Sequence, residues 1–313
     1  EIGPGWTIGG GISIVQPPSG PTAGWFGGGQ TPTRVSTVNR ITYATDTATA
    51  SVRGPLSTAI SSLAANGNNT DGWFGGGRLG APSFLPTSTV GRITYATDTA
   101  TASVRGPLSS ARYGVAATGT STNGWFGGGY RTISTVDRIT FATDTATASV
   151  RGPLSSSVYN LAATTDGTTY GWFGGGSVPA DTSTVARITY ATDTSTASVR
   201  GPLSLTRYAL SATGTSTDGW YAGGQAAQAV SIIDRITYAN DTATASVRGP
   251  LSAPRNYMGA STDNTTYGWF AGGGGNAVST VDRITYATDT NNATTRGPLS
   301  EAKLDLAGSS GIQ

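Results

Sequence analysis

Over residues 136 to 141 the chain alternates, placing Val136, Arg138 and Thr140 on one face of an extended segment and Asp137, Ile139 and Phe141 on the other. Short patterned segments surround this stretch. "RYGVAAT", from Arg112, reads as a short apolar strand, "TSTNG" as a polar turn, and "WFGGG" as an aromatic strand that ends in glycines. "TVDRITFA" is the alternating strand, "TDTA" a tight hairpin turn, and "TASVRGPL" the closing strand. Four strands are predicted in one unit, with no helix between them.

The unit recurs. Aligned on "RGPL", its arginines are Arg53, Arg105, Arg151, Arg200, Arg248 and Arg296, spaced 46 to 52 residues apart. The aromatic strand recurs at Trp25, Trp73, Trp125, Trp172, Trp220 and Trp269. A strand-rich period of about 40–50 residues is that of propeller blades. The expected fold is all-β, a six-bladed β-propeller of four-stranded blades over residues 21–313. A propeller has to close its ring or leave an open strand edge. The first aromatic strand, Gly24–Gly29, has no apolar strand ahead of it, whereas the chain ends in "EAKLDLAGSSG". Leu304, Leu306 and Ala307 match the missing strand, so the C-terminus is predicted to pair beside Trp25 and complete the first blade. Residues 1–20, with a Pro-Pro break, read as an extension that connects the propeller to other proteins or to its own copies.

Composition agrees with this reading. Forty-six Gly, 15 Pro and only 12% charged residues do not suit helices, while 7 Trp, 13 Tyr and 7 Phe supply a core. A net charge of +2 without a basic run disfavours nucleic acid as a partner. No apolar run is long enough to span a bilayer, so membrane insertion is not expected. The absence of Cys excludes disulfides and thiolate metal sites.

Segments such as "RYALSATGTSTDGWYAGG" followed by "DRITYANDTATASVRGPL" resemble the Kelch repeat. That family has an Arg-led strand, an aromatic strand ending in a glycine doublet, a "V(D/E)RY"-like strand and a last strand before Pro. One departure is that the tryptophan expected after the third turn is replaced by small residues, as in "TATASV". The repeated wording "ATDTATASVRGPLSSAR" also resembles repeat proteins carried by tailed phages of marine cyanobacteria. That resemblance implies a virion or extracellular location and a tail-fibre or appendage role. The other roles considered are a multivalent lectin-like binder of surface glycans, with one weak site per blade, and a filament-building repeat.

Catalytic chemistry has little to work with. No His or Cys is available as base, nucleophile or metal ligand. No cofactor and no metal site is expected, and an enzyme is the poorest fit. Six aspartates, Asp46, Asp98, Asp144, Asp193, Asp241 and Asp289, sit in "YATDT"-type turns. They are read as turn residues that accept bonds from the following amides, since one turn lacks the ligands calcium needs. Six arginines in "RIT", Arg40, Arg92, Arg138, Arg187, Arg235 and Arg283, are read as packing residues, although no fixed acidic neighbour accompanies them.

In a chain this repetitive, function lies in the departures. They concentrate after the glycines and after "RGPLS", in connections predicted to emerge on one face of the disc. Candidate binding residues there are Arg34, Arg78, Phe84, Arg112, Tyr113, Tyr130, Arg131, Arg207, Tyr208, Arg255 and Tyr257. Exposed Arg and Tyr together are typical of recognition surfaces.

Overall fold

The computed structural model describes residues 20–130 and 133–311. They form six four-stranded antiparallel sheets arranged as the blades of a ring. Blade 3 is typical: Ala116–Gly119 pairs with Asn123–Gly127, which pairs with Val136–Thr140, which pairs with Ser149–Arg151. The expected all-β six-bladed propeller is the observed fold, and its closure is as expected. Ala307–Ser309 is the innermost strand of blade 1 and pairs antiparallel with Ala23–Gly27, in a register that sets Trp25 against Ser309. The closing pair lies a little later in the chain than Leu304, which instead bridges to Gln30. Leu306 is buried, whereas Leu304 is half-buried. The N-terminal extension lies outside the described residues, apart from Gly20.

The alternation in the third strand does not sort core from solvent. In Val136–Thr140, Val136, Asp137 and Ile139 are all buried and the other two residues half-buried, because each blade is sandwiched between two others and both of its faces are covered. The "TDTA" hairpin is also longer than expected. A 3-10 turn, Phe141–Thr143, precedes it, and the outer strand begins only at Ser149.

This longer connection carries the joint between blades. In blade 2, Tyr95 stacks on Trp25 of blade 1 with centroids 3.8 Å apart, and Asp98 Oδ2 accepts the Trp25 indole N–H at 2.8 Å. The same carboxylate takes Arg40 at 3.0 Å and lies 3.4 Å from Arg53, both in blade 1. The arrangement recurs at every joint, ending where Asp46 of blade 1 receives Trp269, Arg283 and Arg296 of blade 6. Main-chain bonds flank it: Gly54 donates to Asp98 O and Ala102 to Pro55 O, each at 2.8 Å. The "RGPL" glycine is obligatory here, since a Cβ at Gly54 would stand 2.0 Å from Ala100 O. The six aspartates therefore do not cap their own turns as expected. Main-chain bonds such as Ala100 N–H to Thr97 O close the turns, leaving each carboxylate to clasp the preceding blade. The "RIT" arginines are structural, as expected, but their partner lies on the next blade, 52–58 residues along the chain for five of them and across the ring closure for Arg283.

Candidate functional site

The connections that follow the second and fourth strands do emerge together, joined by bridges such as Tyr159 to Ser177 and Tyr208 to Gln225. Their centre is a closed ring of main-chain hydrogen bonds, one per blade. Gly114 N–H donates to Ser62 O, Asn160 to Gly114, Ala209 to Asn160, Tyr257 to Ala209, Asp305 to Tyr257 and Ser62 to Asp305, all at 2.7–2.9 Å. Each of these residues has a positive φ, which suits Gly114 and is tolerated by Asn160 and Asp305. Ser62, Ala209 and Tyr257 hold left-handed backbone at φ of 54–55°, a strain that the surrounding ring sustains. The channel mouth encloses about 120 Å³.

The expected binding residues divide into two groups. Arg112, Arg207 and Arg255 are not on the surface. They are 1%, 0% and 3% exposed, which corrects their assignment to the loop face. Each turns inward and pairs with a fully buried aspartate of its own blade: Arg112 with Asp137 at 2.9 Å, Arg207 with Asp234 at 3.1 Å, and Arg255 with Asp282 at 2.7 Å. Main-chain carbonyls take further donors, as Phe126 O and Thr135 O do for Arg112. Burial is the larger influence on Arg112 and Arg207 and lowers their pKa, which the paired aspartate partly offsets.

The second group remains accessible. Arg34 and Arg78 are half-buried, Phe84 is 49% exposed and Tyr130 41%. They form a continuous strip with Tyr113. The Arg34 guanidinium lies 5.5 Å from the Phe84 ring centroid, and Arg78 Nε donates to Phe84 O at 2.9 Å. Arg78 in turn lies 5.7 Å from the Tyr113 centroid, and Tyr113 stacks on Tyr130 at 4.8 Å. Tyr159 meets Tyr130 edge-on at 5.4 Å. Tyr208 and Tyr257 pack edge to face at 6.4 Å, separately from the strip. Arg131 lies outside the described residues. Tyr159 was absent from the expected set, although "SSVYN" aligns with "SARYG" and "LTRYA" and so marks it. Leu85, 62% exposed beside Phe84, carried no comparable signal.

Two ionisable groups sit where the C-terminal segment closes the ring. Asp305, held in the channel-mouth ring, has its pKa pushed up to about 6 by burial, against the opposing effects of Ser62 and Arg34. Lys303 has no exposed surface and donates to Thr37 O at 3.2 Å; burial brings its pKa down to about 8. Among the described residues no cluster of carboxylates suited to a metal ion occurs, and no helix is long and apolar enough to cross a membrane. No protein-family model matches the chain, and no curated protein matches it.

Proposed function

We propose that this chain is a non-enzymatic propeller of a phage virion, carried on a tail fibre or appendage, whose loop face recognises a host surface. The observation that carries the recognition reading is the contrast between repeated and unrepeated side chains. The repeated Trp, Arg and Asp are engaged in joints between blades, whereas Arg34, Arg78, Phe84, Tyr113 and Tyr130 gather on one accessible face. Exposed aromatic and guanidinium groups on rigid scaffold loops suit binding. The repeated carboxylates are committed to indole and guanidinium donors, which favours a role without catalysis. The virion placement rests on the likeness of the repeat wording to cyanophage repeat proteins, together with the lack of catalytic groups. The strip occurs once, across blades 1 to 4, which favours a single elongated site over the weak site per blade of a multivalent lectin. The N-terminal residues would join the propeller to other virion proteins or to its own copies.

Antibody labelling of purified particles by electron microscopy tests the placement. Label on tail fibres or appendages is expected. Label confined to the soluble fraction of infected cells, with bare particles, would overturn it.

A further inference from the structure

Seventeen of the chain's 18 arginines are described, and 15 of them pair with an aspartate. Arg34 and Arg78 are the two that do not, and they occupy neighbouring positions on the loop face. Each spends its Nε on the protein: Arg34 on Ser61 Oγ and Arg78 on Phe84 O, both at 2.9 Å. Their Nη donors have no protein acceptor among the described residues. Ser61 faces Arg78 across a two-stranded pairing, which holds the two side chains side by side. Burial, then the neighbouring charge of Arg78, lowers the Arg34 pKa, so a like-charge repulsion exists that an anion would relieve. The charge of Asp305 acts on Arg34, but the two form no ion pair.

We propose that the strip Arg34–Phe84–Arg78–Tyr113–Tyr130–Tyr159 is a subsite for an acidic oligosaccharide, with a carboxylate or sulfate on the two guanidiniums and the sugar chain along the aromatic rings. The inference rests on the recognition reading above and names its ligand. Guanidinium Nη groups fit planar or tetrahedral oxyanions in forked geometry. The stacked rings present apolar edges and phenol hydroxyls already fixed in place, so little side-chain freedom is lost on binding. Sugars offer both partners these groups want, C–H surface and hydroxyls. A nucleic acid fits poorly, because its affinity comes from many phosphate contacts and the other described arginines are already neutralised. The strip crosses four blades, which suits an extended chain over a single small anion.

The test uses the full chain with four immobilised probes: polygalacturonate, dextran sulfate, neutral dextran and polyglutamate. Binding to one or both acidic polysaccharides is expected, weakened about tenfold or more by R34A/R78A. Preference for polygalacturonate would assign the anion as carboxylate, and preference for dextran sulfate as sulfate. Y130A, which leaves both arginines in place, is expected to weaken binding about threefold or more. Both variants should melt with the parent, which excludes loss of fold as the cause. Equal binding to neutral dextran, equal binding to polyglutamate, or no effect of R34A/R78A would each overturn the proposal. Binding to none of the probes would overturn it too, while leaving particle labelling to decide the recognition reading separately.

Discussion

Arg78 and Arg112 belong to the same face of the propeller and have opposite fates. Arg112 is 1% exposed and locked to Asp137, whereas Arg78 keeps its Nη groups toward solvent over Tyr113. Residue type does not separate them. What separates them is their place in the blade: Arg78 follows the second-strand glycines, whereas Arg112 leads into the first strand of blade 3, opposite a third-strand position one residue before the repeated "RIT" arginine. Where that position is Asp, as at Asp137, Asp234 and Asp282, the residue leading into the same blade is Arg112, Arg207 or Arg255. Where it is Gly91 or Ala186, the leading residue is Ile60 or Val158, and where it is Asn39 the leading residue is Lys303. The six blades thus vary in matched pairs, charge with charge and apolar with small. An arginine at the leading position joins the core against its acid, whereas Arg34 and Arg78, in the loops after the second-strand glycines, stay available for a ligand.

Removing residues 301–313 should have the largest effect, since it strips the inner strand from blade 1 and leaves an open edge. Loss of the cooperative melt and aggregation are expected, read by light scattering during heating. Leu306→Asp should act similarly by burying an unpaired charge, while Leu304→Asp, at a half-buried position, should be much milder.

Next comes the matched pair itself. Asp137→Ala leaves Arg112 buried without its acid and should cost about 3–5 kcal/mol in denaturant unfolding. Adding Arg112→Val copies the Val158–Ala186 arrangement of blade 4 and should restore most of that loss. A double variant no more stable than Asp137→Ala would break the comparison. The joint between blades should be intermediate. Asp98→Asn keeps an acceptor for Trp25 but loses the charge that holds Arg40 and Arg53, a loss of about 1.5–3 kcal/mol.

Smaller, and dependent on pH, are the two closing-segment groups. The folded pKa of Asp305, about 6, lies above the ordinary 3.8, so the folded state holds that proton more tightly. Its unfavourable contribution therefore grows as pH rises from 3.8 to 6 and is constant above that range. Asp305→Asn should raise the melting temperature at pH 7 and leave it nearly unchanged at pH 3.5; Asn also tolerates the left-handed backbone there. Lys303 acts in the alkaline range. Its folded pKa of about 8 lies below 10.5, so stability should rise between those values as the buried ammonium loses its proton. Lys303→Met should abolish that rise. Smallest of all, R34A/R78A should change stability by less than about 0.5 kcal/mol, the counterpart of the large Asp137 effect.

Much of the frame was legible in the sequence because it is repetitive. Six tryptophans and six "RGPL" segments mark the blades, and a missing strand at one end with a spare one at the other marks the closure. The partners of Asp98 were not legible, because Trp25, Arg40 and Arg53 lie on another blade and only the ring brings them together. The buried arginines were misplaced for a different reason. Their signal lay in the covariation of position 112 with 137, 207 with 234 and 255 with 282, whereas reading each loop alone suggested exposure. The accessible strip was legible in composition but not in order. The contact of Arg78 with Tyr113 depends on how blades 2 and 3 stand beside each other.

The central claim is a closed frame of matched repeats that holds one variable face. Amide hydrogen exchange of the full chain tests it most directly. The hydrogen-bonded amides of Ala307–Ser309 should exchange only through global unfolding, at the rate of the equivalent strand Ala162–Thr165, while residues 81–84 of the loop face exchange far faster. Exchange at 307–309 as fast as in that loop would contradict closure by the C-terminal strand and the account built on it.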